Sequence, residues 1–106
     1  MDKIKIVIVE PGNPEARIAD VPATLEQYQK IVGGYIECIY PFSDAVTLVC
    51  NEEGKLRGLP INRVLYDRGN NIEAINGTFF IVGVGAEDFQ PLTNKQAEKY
   101  RRLFSM

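Results

Sequence analysis

Gly77-Thr78-Phe79-Phe80-Ile81-Val82-Gly83 is the stretch on which the fold of this chain turns. Aromatic and β-branched residues follow one another without a charge, and glycines stand at both ends, so the segment reads as a central strand. Toward the N-terminus, Asp67-Arg68-Gly69-Asn70-Asn71 is a loop. Pro60 before it suits the first turn of a short helix through Ile61, Val64 and Leu65, since proline lacks only a donor that a first turn leaves free. Leu56 to Leu59 extends a hairpin beyond the polar turn Asn51-Glu52-Glu53-Gly54-Lys55.

Further out, Tyr35–Tyr40 and Val46–Cys50 read as two strands joined around Pro41-Phe42-Ser43-Asp44. If Ile36, Cys38 and Tyr40 face the core against Val46, Leu48 and Cys50, the register opposes Cys38 to Leu48 and Ile36 to Cys50. Both sulfurs then share a buried face as diagonal neighbours, with Cα atoms roughly 7–8 Å apart, too far for a bridge. Two free, inert thiols are expected.

Thr24-Leu25-Glu26-Gln27 has capping-box spacing, Leu25, Tyr28, Ile31 and Val32 share a helical face, and Gly33-Gly34 suits the stop. Ile4 to Val9 is a nearly unbroken apolar run, as in a strand covered on both faces, and Pro11-Gly12-Asn13-Pro14 turns it into a return over Glu15–Val21. On the other side of the opening stretch, Thr93-Asn94-Lys95-Gln96 announces a last helix with Ala97, Tyr100, Leu103 and Phe104 inward. The order β-β-α-β-β-(α)-β-α alternates too little for a doubly wound sheet. The expected fold is α+β: a mixed or mostly antiparallel sheet with an N-terminal hairpin, one helix after it, a short central helix and a C-terminal helix, all in one domain spanning 1–106.

Composition narrows function mainly by exclusion. The 106 residues carry 12 basic and 14 acidic side chains, a net charge of −2, too even for a protein held to nucleic acid by phosphate contacts. No segment approaches the roughly 18 apolar residues needed to cross a bilayer, and the N-terminal run is too short for a signal peptide. A cytoplasmic protein with no membrane partner is expected. Histidine is absent, which removes the usual general base, the Ser-His and Cys-His pairs and the commonest zinc ligand. No catalytic residue, metal or cofactor is expected, although a carboxylate at Glu52 or Glu53, or the Lys55 amine, could be activated by burial.

Other motifs stay ordinary. Gly83-Val84-Gly85 follows a strand, but Asp88 stands where a dinucleotide fingerprint needs its third glycine. Glu52-Glu53 and Glu87-Asp88 lack the alternating spacing of a calcium loop and read as solvated turns. Lys95, Lys99 and Arg102 line one side of the last helix, either as a solvated face or as a strip for phosphates. The densest mixture of amide, acid and base is central: Asn51, Glu52, Glu53, Lys55, Asn62 and Arg63, with Gly54, Gly58 and Pro60 between them. Such a mixture suits recognition of a polar ligand or a peptide.

Val49-Cys50-Asn51-Glu52-Glu53-Gly54-Lys55-Leu56, Gly58-Leu59-Pro60-Ile61-Asn62-Arg63 and the opening stretch together resemble domain-of-unknown-function family 3846. Val7–Gly12, Gly33–Glu37 and Leu92-Thr93 are similar to it as well, so the likeness covers nearly the whole chain. The resemblance implies a small protein of Firmicutes, their phages or mobile elements, with no activity assigned. It also implies signature positions at Asn51, Glu52, Pro60, Asn62 and Thr78, which overlap the polar cluster. The expectation is therefore a non-enzymatic binding module that recognises a small polar ligand or a protein partner through Asn51, Glu52, Glu53, Lys55, Asn62, Arg63 and Thr78. The alternative is nucleic-acid binding through Lys95, Lys99 and Arg102.

Overall fold

Two apolar runs lie side by side at the centre of one antiparallel sheet. They are β1 (Lys3–Val9) and β7 (Phe79–Val84), with Val7 opposite Ile81 and Val9 opposite Phe79. The structure, a computed structural model, describes residues 2–67 and 70–106. Around this pair, β2 (Arg17–Pro22) returns along the outer side of β1, as the Pro11–Pro14 turn predicts. On the other side, β4 (Val46–Asn51) pairs with β7 and β3 (Ile36–Ile39) forms the far edge, giving the order β2-β1-β7-β4-β3. A short β8 (Phe89–Gln90) pairs with β7 beyond the end of β1. All of these pairings are antiparallel.

The sheet is covered on both faces, which explains why its central strands are apolar without alternation. On one face α1 (Leu25–Val32) lays Tyr28 and Val32 over Ile6, Ile8, Val49, Phe80 and Val82. On the other, α2 (Asn94–Phe104) lays Ala97, Tyr100 and Phe104 over Val7, Val9, Leu48, Phe79 and Ile81. Both helices start where local chemistry directs. Thr24 accepts the Gln27 N–H at 3.1 Å, and Thr93 with Gln96 forms a reciprocal capping box. Gly33, at φ 81°, takes the left-handed conformation that closes α1. Leu25 and Leu103, expected on the apolar faces, are instead exposed. Among the described residues, no helix is long and apolar enough to cross a membrane.

The α+β class and the antiparallel sheet are as expected, but several details are corrected. The segment after Pro60 is no helix: β5 (Ile61–Asp67) pairs with β6 (Asn70–Asn76) as a separate two-stranded ribbon. Its Leu65 and Ile75 join the core on the α2 side, and a register shift between Ile61 and Arg63 lets both Asn62 and Arg63 turn inward. Of the expected loop over 67–71, Asp67 belongs to β5 and Asn70 and Asn71 to β6, and Arg68 and Gly69 lie outside the described residues. Leu56–Leu59 is a succession of turns, closed by Leu59 N–H donating to the Gly54 carbonyl at 3.0 Å.

The last correction concerns the cysteines. Cys38 lies opposite Val49 and Cys50 opposite Glu37, one residue away from the expected register. A slip of one exchanges faces. Cys38 therefore packs toward α1 and Cys50 toward α2, as free thiols on opposite sides of the sheet. Alternation in β4 carried no information about this, because all six of its residues are buried. Thr47 is buried too, and its hydroxyl is satisfied by the Ile39 carbonyl at 2.8 Å.

Candidate functional site

The polar residues selected from the sequence divide into two groups. Asn51, Asn62 and Arg63 are buried, and their donors are held by main-chain oxygens. Asn51 Nδ2 donates to the Val32 carbonyl at the end of α1 at 3.1 Å, and its Oδ1 accepts the Glu53 N–H at 2.8 Å. Gly34 has to be small here, since a Cβ would stand 2.9 Å from the Asn51 amide. Asn62 Nδ2 bridges the carbonyls of Val9 and Gly77 at 2.8 and 2.9 Å, beside Thr78 in the chain. Arg63 donates to Phe104, Asn13 and Asn62 carbonyls at 2.8–3.0 Å and to Asn62 Oδ1 at 2.9 Å. Burial lowers the guanidinium pKa, yet arginine stays charged. These three side chains join elements and direct these hydrogen bonds to the protein's own oxygens.

Glu52, Glu53 and Lys55 are exposed on the turn after β4. Lys55 Nζ donates to the Ala74 carbonyl at 2.8 Å and approaches Glu73 at 3.8 Å, which ties the turn to the β5–β6 ribbon. The cavity beneath, lined in part by Glu37, Cys50, Lys55 and Glu73, measures about 110 Å³. That falls below the roughly 300 Å³ of ordinary ligand pockets. Burial, reinforced by Glu37, pushes the Cys50 thiol up to about 12, so it remains protonated and non-nucleophilic. Burial raises the Cys38 thiol as well. Thr78, half-buried just before β7, does not reach this cavity.

On α2, Lys95, Lys99 and Arg102 are exposed as expected, but acids interleave with them. Glu98 accepts from Arg101 at 2.6 Å and Arg102 at 3.0 Å, and these bonds hold its carboxyl down near about 2. Lys99 stands 4.0 Å from Asp44. The strip is therefore a mixed-charge face.

The roomier openings lie elsewhere. One, of about 650 Å³, runs between Phe42, Tyr66, Leu103 and Phe104, where the one charged lining group is Arg63, held by four hydrogen bonds. The other, of about 620 Å³, lies between α1, the β3 end and the β7–β8 turn. Its walls include Tyr28, Tyr40 and Phe89, and its rim carries Glu87 and Asp88. The turn is drawn close by Gly83, whose Cβ would stand 2.7 Å from the Gln90 carbonyl. The Gly83-Val84-Gly85 pattern thus serves strand packing.

Tyr28 is only 7% exposed, its ring stacked between Phe80 and Phe89 at centroid distances of 5.6 and 5.1 Å. Its hydroxyl makes no hydrogen bond among the described residues, whereas no fully buried side-chain nitrogen or oxygen among them lacks a partner. The Tyr28 hydroxyl therefore meets solvent, and the cleft is where Tyr28 opens. Sequence reasoning did not find this cleft because its walls come from residues 23–28, 36–40 and 84–89. The one local signal was a tyrosine on the apolar face of the first helix.

A family model described as Domain of unknown function (DUF3846) matches residues 4–105. No curated protein and no solved structure matches the chain.

Proposed function

We propose that this chain, which belongs to domain-of-unknown-function family 3846, is a non-enzymatic binding module whose ligand sits in the cleft between α1 and the β7–β8 turn. The observation that carries the reading is the cleft itself, about 620 Å³ of space lined by Tyr28, Tyr40 and Phe89 with Glu87 and Asp88 beside them. The lining mixes aromatic and aliphatic side chains with polar groups in nearly equal share, and about 620 Å³ suits a small molecule or one side chain of a protein partner. Absence of a catalytic role is supported by the lack of histidine and by two thiols held in the protonated form.

This reading moves the site away from Asn51, Asn62 and Arg63, whose hydrogen bonds are already engaged within the fold. A nuclear magnetic resonance screen of the full chain with a mixed library of amines, acids, neutral alcohols and nucleotides tests it. Amide shifts clustered at Ala23–Tyr28 and Val84–Phe89 are the expected result. Shifts clustered on Glu52–Lys55, or on Lys95–Arg102 with nucleotides, would refute the assignment.

A further inference from the structure

The cleft has a definite charge character. Its lining includes Glu87 and Asp88 and no lysine or arginine. Tyr40 and Phe89 share the same opening and keep ring surface uncovered, whereas the Tyr28 ring beside them is almost wholly buried, and uncovered aromatic faces attract cations through their quadrupole. Tyr40 is 65% exposed and Leu25 57% exposed, so apolar surface remains uncovered at the mouth. One feature of opposite sign stands nearby, the N-terminus of α1, worth about half a positive charge. Glu26 in the first turn of α1 offsets it, leaving the two rim carboxylates uncompensated among the cleft residues. Asp88 acts at Tyr28 directly: after burial, its charge is the second cause that raises the phenol pKa.

We infer that the ligand of this cleft is an organic cation, an ammonium group on an aliphatic stem, seated against Tyr40 and Phe89, beside Tyr28, under the carboxylates of Glu87 and Asp88. The inference rests on the cleft being the binding site and deepens that reading. The Tyr28 hydroxyl, which solvent reaches, accepts a hydrogen bond from an N–H of the ammonium or orders a water beside it. A fully alkylated ammonium would be held by charge and by the rings alone. The same chemistry is available from a free amine or from a lysine side chain of a protein, and probes of each kind separate the two.

The test uses the full chain, titrated with choline, with its neutral isostere 3,3-dimethylbutan-1-ol, with acetate and with Nα-acetyl-lysine methylamide. Both cations are expected to shift the amides of Ala23–Tyr28 and Val84–Phe89, with the isostere weaker by at least about fivefold. Tighter binding of the lysine amide would point to a protein side chain, and tighter binding of choline to a free ammonium compound. Glu87→Gln combined with Asp88→Asn, both exposed positions, is expected to weaken cation binding while leaving the isostere unchanged. Tyr40→Ala should weaken both. Equal affinity for choline and the isostere, or preference for acetate, overturns the cation while leaving the cleft as a site. Absence of shifts at the cleft with every probe, and with the mixed library, overturns the site itself.

Discussion

The Arg63 guanidinium gives four hydrogen bonds, to Phe104, Asn13 and twice to Asn62, and all four acceptors are uncharged oxygens. Through them the end of α2, the turn after β1 and the start of β5 are held at one point. A planar fork suits this task, because each N–H leaves in a fixed direction. Removing it would leave several carbonyl oxygens without partners, and each such buried group costs about 1–3 kcal/mol. Arg63→Ala is therefore expected to lower unfolding free energy by about 3 kcal/mol or more, read from urea denaturation. Arg63→Lys should restore only part, since an ammonium cannot reach three separated acceptors. A loss below about 0.5 kcal/mol, the level of an ordinary surface change, would refute the structural role. The same chemistry explains why Arg63 and Asn62 looked ligand-facing in the sequence. Polarity announces a need for partners, and here those partners are the protein's own main chain.

At the scale of elements, Asp44 links the β3–β4 connection to α2. Its carboxylate accepts from the Tyr100 hydroxyl at 2.9 Å, the Ala45 N–H at 2.8 Å and the Gln96 amide at 3.1 Å. The Tyr100 bond comes first among the causes that hold the Asp44 pKa below its ordinary value, with the Ala45, Gln96 and Lys99 contributions behind it. A carboxylate with a depressed folded pKa contributes stability that is complete above its unfolded pKa, about 3.9. That contribution is lost as pH falls through the lower folded value. Asp44→Asn is expected to be less stable than the parent at pH 7 by about 1–2 kcal/mol. The gap should close as pH drops below about 4. Urea midpoints at several pH values check this. A gap that stays constant with pH would mean that Asp44 holds α2 by shape alone. The more strongly depressed Glu98 carboxyl is solvated, and its ion pairs on the α2 surface are expected to matter little.

For the whole molecule, the decisive feature is that both helical layers pack on one sheet. Phe79 and Phe80, neighbours on β7, point to opposite faces, the first toward Phe104 and the second toward Tyr28. Neither layer keeps its core if β7 is lost, so the two faces should unfold together. Phe79→Ala and Phe80→Ala are each expected to cost about 3–5 kcal/mol. Both should preserve a single transition, with far-ultraviolet dichroism and tyrosine fluorescence coincident. Tyrosine is the natural probe, since the chain has no tryptophan and Tyr28 and Tyr100 report on opposite faces. Transitions that separate in either variant would show that the layers are independent.

The sequence by itself determined whatever depends on neighbours a few residues apart. Thr24 and Thr93 cap helices by bonds that span three residues, Gly33 ends one through its own φ, and the runs at β1 and β7 are strands by composition. Family membership was equally legible, because the likeness runs along the chain from residue 4 to 105. Tertiary structure decided what depends on distant partners. Ile61, Val64 and Leu65 have helical spacing, yet pairing with Asn70–Asn76 and burial of Leu65 over the α2-side core made the segment β5. The β3–β4 register could not be read from β4, which is buried on both faces, and the connection between the strands is anchored to α2 through Asp44. Asn51, Asn62 and Arg63 found acceptors far away in sequence, and the cleft at Tyr28 exists only where three separated segments meet. The physical reason is common to these cases: a side chain's chemistry is local, but burial and hydrogen-bond partners are set by the packed fold.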